Sequence, residues 1–221
     1  MKYQIKRAAA AVDISAAWDS ACWKDVEALR IVNARSEGSN HQPKAELKLQ
    51  YDDQGIYGLF NVDDYYVRSV STGFQGQVCR DSCTEFFFEL PGFGYFNLEM
   101  NCGSGMLLYY IRDNARKPEG GFADMDILPD EDISMVKKFH TRPDVVEPEV
   151  VGDTNYRVGF FFPYALIKKY ADIQLPKAGT LWRMNAYKCG DATSHPHWLA
   201  WNPVKELNFH RPEDFGVLEF C

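Results

Sequence analysis

The 221-residue chain carries 31 acidic against 24 basic residues, for a formal charge of −7, with 46% apolar and 25% charged residues. That is ordinary globular composition with enough apolar material for one core, and the basic residues are scattered singly or in isolated pairs such as Lys137/Lys138, which offers no stripe to a nucleic-acid backbone. No segment approaches the ~18 consecutive apolar residues of a membrane span, so neither nucleic acid nor membrane is an expected partner.

The start, "MKYQIKRAAAAVDISAAWD", contains an apolar run from Ala8 to Val12. It is too short for the roughly 7–15-residue core of a secretory leader, and Asp13 interrupts it. The default expectation is a cytoplasmic protein, unless a leader precedes this sequence. A short helical piece is expected around residues 15–23.

From residue 45 onward the dominant period is two, the signature of strands with one buried face. "AELKLQYD" (45–52) and "GIYGLFNVDD" (55–64) flank the turn signal Asp52-Asp53-Gln54-Gly55 and predict a hairpin. Further strands are expected at 84–90, 95–102, 105–113, 134–142, 155–163, 181–189 and 215–220, with Gly and Pro at nearly every junction, as in "PGFG" at 91–94. Residues 114–132 read as one long excursion, and a loop of that length is usually mobile or functional. The one convincing helix is 163–172, where Pro163 suits a first helical turn and Leu166, Ile167 and Tyr170 share a face. About nine or ten strands with so little helix predict an all-β antiparallel sandwich of jelly-roll or immunoglobulin-like type, with one or two short helices, spanning 1–221 as one domain. The six cysteines (22, 79, 83, 102, 189, 221) form neither a dense disulfide framework nor a paired C-x-x-C zinc motif, so reduced thiols are expected.

Four constellations offer chemistry. His195 and His197, two residues apart, could be completed by His210 or Cys189 into a tetrahedral metal site; the plainer alternative is that these histidines pin a loop. Glu85, Glu89 and Glu99 lie in strands beside aromatic residues and could supply the carboxylate pair of a glycoside hydrolase. Phe86 and Phe88 read as core, however, which sends Glu85 and Glu89 outward to solvent. Asp52, Asp53, Asp63 and Asp64 flank two adjacent strands and could hold calcium or simply cap turns. Finally, "HWLAWN" places Trp198 and Trp201 outside any strand period among hydrogen-bonding groups, as a site that stacks a pyranose on an indole requires.

Six motifs in order, "DQGIYGLFNVDD", "RDSCTEFFFEL", "YFNLEMNCGSGM", "YRVGFFFPYALI", "LWRMNAYKCG" and "HWLAWNPVKELNFHRPEDFGVLEF", resemble the family 9 carbohydrate-binding modules over nearly the whole chain. The resemblance implies a DOMON-like β-sandwich that binds mono- or oligosaccharides, often the ends of plant polysaccharides beside xylanases. It further implies structural calcium, for which Asp63 and Asp64 are the candidates, and no organic cofactor. It implies a sugar held between two tryptophans. Trp198 or Trp201 matches one of them. The other belongs just before the D-x-x-x-E element, where this chain has Val78 and Cys79, with Phe74 the nearest aromatic residue. Arg80, Glu85, Glu99, Asn101 and Asn185 are the expected hydrogen-bonding partners, with Asp81, Asn97 and Lys188 beside them. His210 and Phe209 fall in the closing turn and read as structural. Two rival functions are a xylanase-type glycoside hydrolase and a DOMON-type haem domain drawing on Met100, Met106 and His195.

Overall fold

The period-two segments become strands of two facing sheets in the computed structural model, which describes all residues, Met1–Cys221. In chain order the elements are β1 (Lys2–Arg7), β2 (Ala28–Ile31), β3 (Asn33–Ala34), β4 (Lys44–Tyr51), β5 (Gly55–Ser69), β6 (Cys83–Leu90), β7 (Gly94–Asn101), β8 (Met106–Arg116), β9 (Phe122–Ile127), α1 (Asp130–Ile133), β10 (Lys137–His140), β11 (Val146–Pro163), α2 (Tyr164–Tyr170), β12 (Leu181–Cys189), β13 (Trp198–Ala200) and β14 (Gly216–Phe220). One sheet runs β10-β11-β5-β4, with β2 on the free edge of β4. The other runs β14-β12-β6-β7-β8-β9, with β13 and then β3 added along β12. Strand β1 belongs to both: Lys2–Ile5 lie parallel to β14, and Lys6–Arg7 lie parallel to β4. All other pairings are antiparallel, as expected for an all-β sandwich. No helix is long and apolar enough to cross a membrane.

Between the sheets, alternate residues interlock. Phe86, Phe88 and Leu90 of β6 meet Phe160 and Phe162 of β11 in a core that also takes Leu47 and Leu49 of β4. The Phe86–Phe160 rings are 5.3 Å apart and the Phe88–Phe162 rings 5.0 Å, within the range where aromatic pairs add to plain area burial. The β6–β7 turn needs glycine at Gly94, whose φ is +135° and where a Cβ would fall 2.5 Å from the Ile111 carbonyl.

The opposite face of β6 is the surprise. Phe87 is fully buried there, in a second cluster with Tyr95, Tyr187, Val204 and Phe215. The aperiodic segment after β13 folds back over this face, so the strand is covered on both sides. Elsewhere the expected strand 55–64 continues to Ser69 and 155–163 starts at Val146, giving one long bulged ribbon of β5 with β11. Residues 114–132 are not a loop. They form the end of β8, the hairpin strand β9 and α1, with Arg112 bridging Asp124 and Asp126 at 2.6 Å each. That polar rung explains the missing hydrophobic alternation. Residues 15–23 form successive turns rather than a helix, closed by the buried Trp23, and the strand expected at 134–142 is confined to Lys137–His140 behind α1.

Candidate functional site

On the covered outer face of the β12-β6-β7 sheet, the coat of aperiodic chain leaves a cleft of about 310 Å³. Trp198 forms one wall. It opens β13 opposite Cys189, is half-buried, and its indole Nε1 donates to Asp191 Oδ1 at 2.7 Å, which sets the ring's orientation. Leu207, Asn208, Phe209 and His210 form the facing wall, and Arg116 stands at the rim. The facing wall is anchored from below. Phe209 stacks on Tyr187 at 3.9 Å and 8°, and the Tyr187 hydroxyl donates to the Phe209 carbonyl at 3.1 Å. His210 Nδ1 meets the Tyr95 hydroxyl at 3.1 Å. Burial, aided by Arg116, lowers the His210 ring to about 3, so it is neutral. The Arg116 guanidinium lies 4.2 Å over the Phe122 ring.

The floor is acidic. Glu85 and Glu99 are direct cross-strand partners on β6 and β7, and both are buried, at 2% and 6% exposure. Burial pushes Glu85 well above the ordinary carboxyl value, and the neighbouring Glu99 adds to the push. Burial likewise raises Glu99 to about 7, against the opposing hydrogen bond from Asn97 Nδ2 at 2.9 Å. The Cys189 thiol donates to Glu85 Oε1 at 3.1 Å. The pair therefore holds a proton into the neutral range and presents both donor and acceptor oxygens to a ligand.

A stability consequence follows from the sign of that shift. A carboxyl whose folded value lies above its unfolded one stabilises the fold below the unfolded value and loses that contribution as pH rises through the folded one. With 4.5 as the ordinary value and about 7 in the fold, Glu99 should weaken the protein between those limits. Glu99→Gln is expected to flatten the Tm profile across that window and to melt higher than wild type above pH 7, read by thermal denaturation; an unchanged slope counts against the buried pair.

Of the expected binding residues, the structure brings Trp198, Glu85 and Glu99 together in the cleft. Glu85 departs from the solvated outward position expected of it, because the C-terminal coat covers its face. Trp201 is a correction: it is 3% exposed and lies in the inter-sheet core. Asn101 is another. Its side chain is consumed by the Ser71 carbonyl (2.7 Å), Asp81 Oδ2 (2.9 Å) and the Gly105 N–H (2.9 Å), which builds the turn after β7. Asn185 likewise pins residue 202, giving Nδ2 to the Asn202 carbonyl and accepting the Asn202 N–H. Arg80 is exposed, reaches only Gln77 Oε1 at 3.3 Å, and does not line the cleft. Cys79 does line it, at the place where the resemblance puts a second tryptophan, while Phe74 does not. Sequence reasoning missed Asp191, Arg116 and the 207–210 wall. Asp191 offered one signal, since it closes the turn that feeds the tryptophan strand.

The other constellations come apart in space. His197 faces inward, its Nδ1 donating to the His195 carbonyl (2.9 Å) and its Nε2 accepting from Lys188 (2.7 Å). His195 stacks on Tyr66 at 3.7 Å, and His210 sits in the cleft wall, so the three do not form a tetrahedral site. Met100 and Met106 are buried in the inter-sheet core, so they do not join His195 as axial haem ligands. Asp52 and Asp53 lie at the turn before β5, and Asp63 and Asp64 just past its middle. Asp64 is fully engaged by the Lys188 ammonium at 3.2 Å, His41 Nε2 at 2.7 Å and the Tyr65 N–H at 2.8 Å. Burial works to raise Asp64, but Lys188 and His41 outweigh it and hold the carboxyl well below its usual range. Asp63 is tied to Asn155 Nδ2 at 2.8 Å. The Lys188 ammonium thus supplies the positive charge that faces Asp64, while Asp63 stays at the surface.

A half-buried indole beside buried carboxyls, on the outer face of a β-sandwich, defines a sugar-binding module. Glu85 and Glu99 lie side by side on one floor, whereas glycoside hydrolysis needs its two carboxyls on opposite sides of the bond being cut. The sequence profile of carbohydrate-binding family 9 matches residues 15–220, and the chain belongs to that family of non-catalytic sugar-binding modules. Its fold is similar to that of a Bacteroides uniformis protein provisionally described as carbohydrate-binding, at a TM-score of 0.80 and 23% identity, covering 100% of this chain and 99% of that one. It is also similar to a family 9 module of Caldicellulosiruptor kristjanssonii. The glucose complex gives a TM-score of 0.62 at 15% identity over 100% of this chain and 96% of that one. The cellotriose complex gives the same score and identity, covering 93% of that chain. No curated protein matches.

Proposed function

We propose that the cleft binds glucose, or the terminal glucosyl unit of a β-linked oligosaccharide, against Trp198. The observation that carries this reading is the indole, fixed by Asp191, standing beside the buried cross-strand pair Glu85–Glu99 on the cleft floor. A pyranose presents a face of C–H bonds to an indole and a rim of hydroxyls to acceptors and donors. The floor offers both kinds of partner, and Arg116 and Asn208 can reach the outer hydroxyls. The glucose and cellotriose held by the Caldicellulosiruptor module support the choice of sugar. With one tryptophan wall and Cys79 in the second position, the expected affinity is micromolar or weaker, equivalent to about −8 kcal/mol at most.

Isothermal titration with glucose, cello-oligosaccharides and xylo-oligosaccharides tests this. Trp198→Ala should cost about 2 kcal/mol or more of binding, roughly thirty-fold, as central aromatic anchors do. Equal affinity in wild type and Trp198→Ala for every sugar bound would remove the site from the cleft. Xylo-oligosaccharides, which lack the exocyclic hydroxymethyl group, show whether that group is read.

A further inference from the structure

We propose that Cys83, Glu85 and Cys189 form a binding site for one thiophilic divalent cation, of the zinc or cadmium type, at the floor of the cleft. The three come from adjacent strands in a fixed register: Cys83 and Glu85 are two apart on one face of β6, and Cys189 of β12 is the direct cross-strand partner of Cys83. All three are buried, and their two sulfurs and carboxylate oxygen lie within 4.8 Å of one another. Tetrahedral zinc, with bonds of ~2.3 Å to sulfur and ~2.0–2.2 Å to oxygen, sets ligand–ligand edges of roughly 3.5–3.8 Å. The present Cys189 Sγ to Glu85 Oε1 separation is 3.1 Å, so only a small spreading of side chains is required. Glu85 and Cys189 line the cleft through which the ion would enter, while Cys83 is fully buried.

Local charge favours such an ion. Glu85, Glu99 and Asp191 line the cleft against a single guanidinium, Arg116. The nearest ammonium, Lys188, is already paired with Asp64. Two thiolates select a soft ion over calcium or magnesium. Binding replaces the S–H bonds of Cys83 and Cys189 and the Glu85 proton with metal–ligand bonds, releasing those protons to solvent. Affinity must therefore rise with pH.

The assignment does not rest on the sugar reading, because its test is run without sugar. The full chain, reduced and stripped with chelator, is titrated with Cd²⁺ and with Zn²⁺ while thiolate-to-cadmium charge-transfer absorption is followed in the near ultraviolet. The expected result is saturation at one equivalent, at least ten-fold weaker binding in Cys83→Ser and in Cys189→Ser, and no change in Cys22→Ser or Cys221→Ser. Absence of the band at one equivalent on folded protein overturns the proposal. So does its persistence in the Cys83→Ser/Cys189→Ser double variant, or its loss in Cys221→Ser. Should the serine variants fail to fold, Glu85→Gln decides, since it keeps both thiols: at least ten-fold weakening supports the site and an unchanged titration overturns it.

Discussion

Replacing Lys188 with methionine is expected to destabilise the protein by about 3–5 kcal/mol, the usual result of removing one partner of a buried ion pair. For a chain of this size that is a fall in Tm of roughly 6–20 °C. Lys188 has no exposed surface. Its ammonium donates to His197 Nε2 at 2.7 Å and the Cys189 carbonyl at 2.9 Å, and it faces Asp64 Oδ2 at 3.2 Å. Methionine fills the stem's volume but leaves the carboxylate with only His41, the Tyr156 hydroxyl at 3.5 Å and backbone donors. The deficit should be greatest above the ordinary aspartate value of 3.8 and narrow as the pH falls and Asp64 takes up a proton. In the Lys188→Met/Asp64→Asn double variant much of the loss should return, because no buried charge is stranded. Urea denaturation at neutral pH and in acid measures all three chains, and a single-variant loss below about 1 kcal/mol at neutral pH would mean that the pair is not held in a desolvated interior.

That buried pair also marks where the sequence stops being legible. Alternation exposes β4, β6, β7 and β12 because one face of each strand packs in the inter-sheet core, and a period of two reports that directly. It says nothing of a strand covered on both faces. Glu85 looked solvated because the only visible cover for its face, residues 202–215, has no period of its own; the cover is held by single contacts such as Asn185 to Asn202 and Tyr187 to Phe209. The same blindness hid the facing wall at 207–210 and turned Asn101 and Asn185 into expected ligands, since an asparagine that braces a turn and one that meets a sugar are the same residue in a sequence. Lys188 carried no signal at all. A lysine in a strand reads as solvent-facing until its partner is known, and Asp64 is far away along the chain. What did survive from sequence to structure is the order of the motifs, which places an indole and two carboxyls at one end of β6, β7 and β12.

The two tryptophans give the second large effect. Trp201→Ala is expected to cost about 3–5 kcal/mol of stability, as deletion of a buried aromatic side chain does, while leaving the sugar affinity of the folded protein within about three-fold, less than the 1.4 kcal/mol of a ten-fold change. Trp201 lies in the inter-sheet core, its N–H given to the Ala186 carbonyl at 2.8 Å and its carbonyl taken by Asn33 Nδ2 at 2.6 Å. Gly216 is shaped to it, since a Cβ there would fall 2.5 Å from the indole. Gly216→Ala should therefore destabilise by the same route without touching the cleft. Trp198 is the converse case. It stands three residues before Trp201, its indole is held by Asp191 at the cleft and rests only on the small cluster of Val78, Cys83, Leu107 and Cys189 rather than in the inter-sheet core, and its loss should spare most of the stability. The pair of substitutions thus separates the two duties of "HWLAW": chemical denaturation reads Trp201, calorimetric titration reads Trp198, and a Trp201→Ala protein that stayed stable but lost its sugar would reverse the assignment.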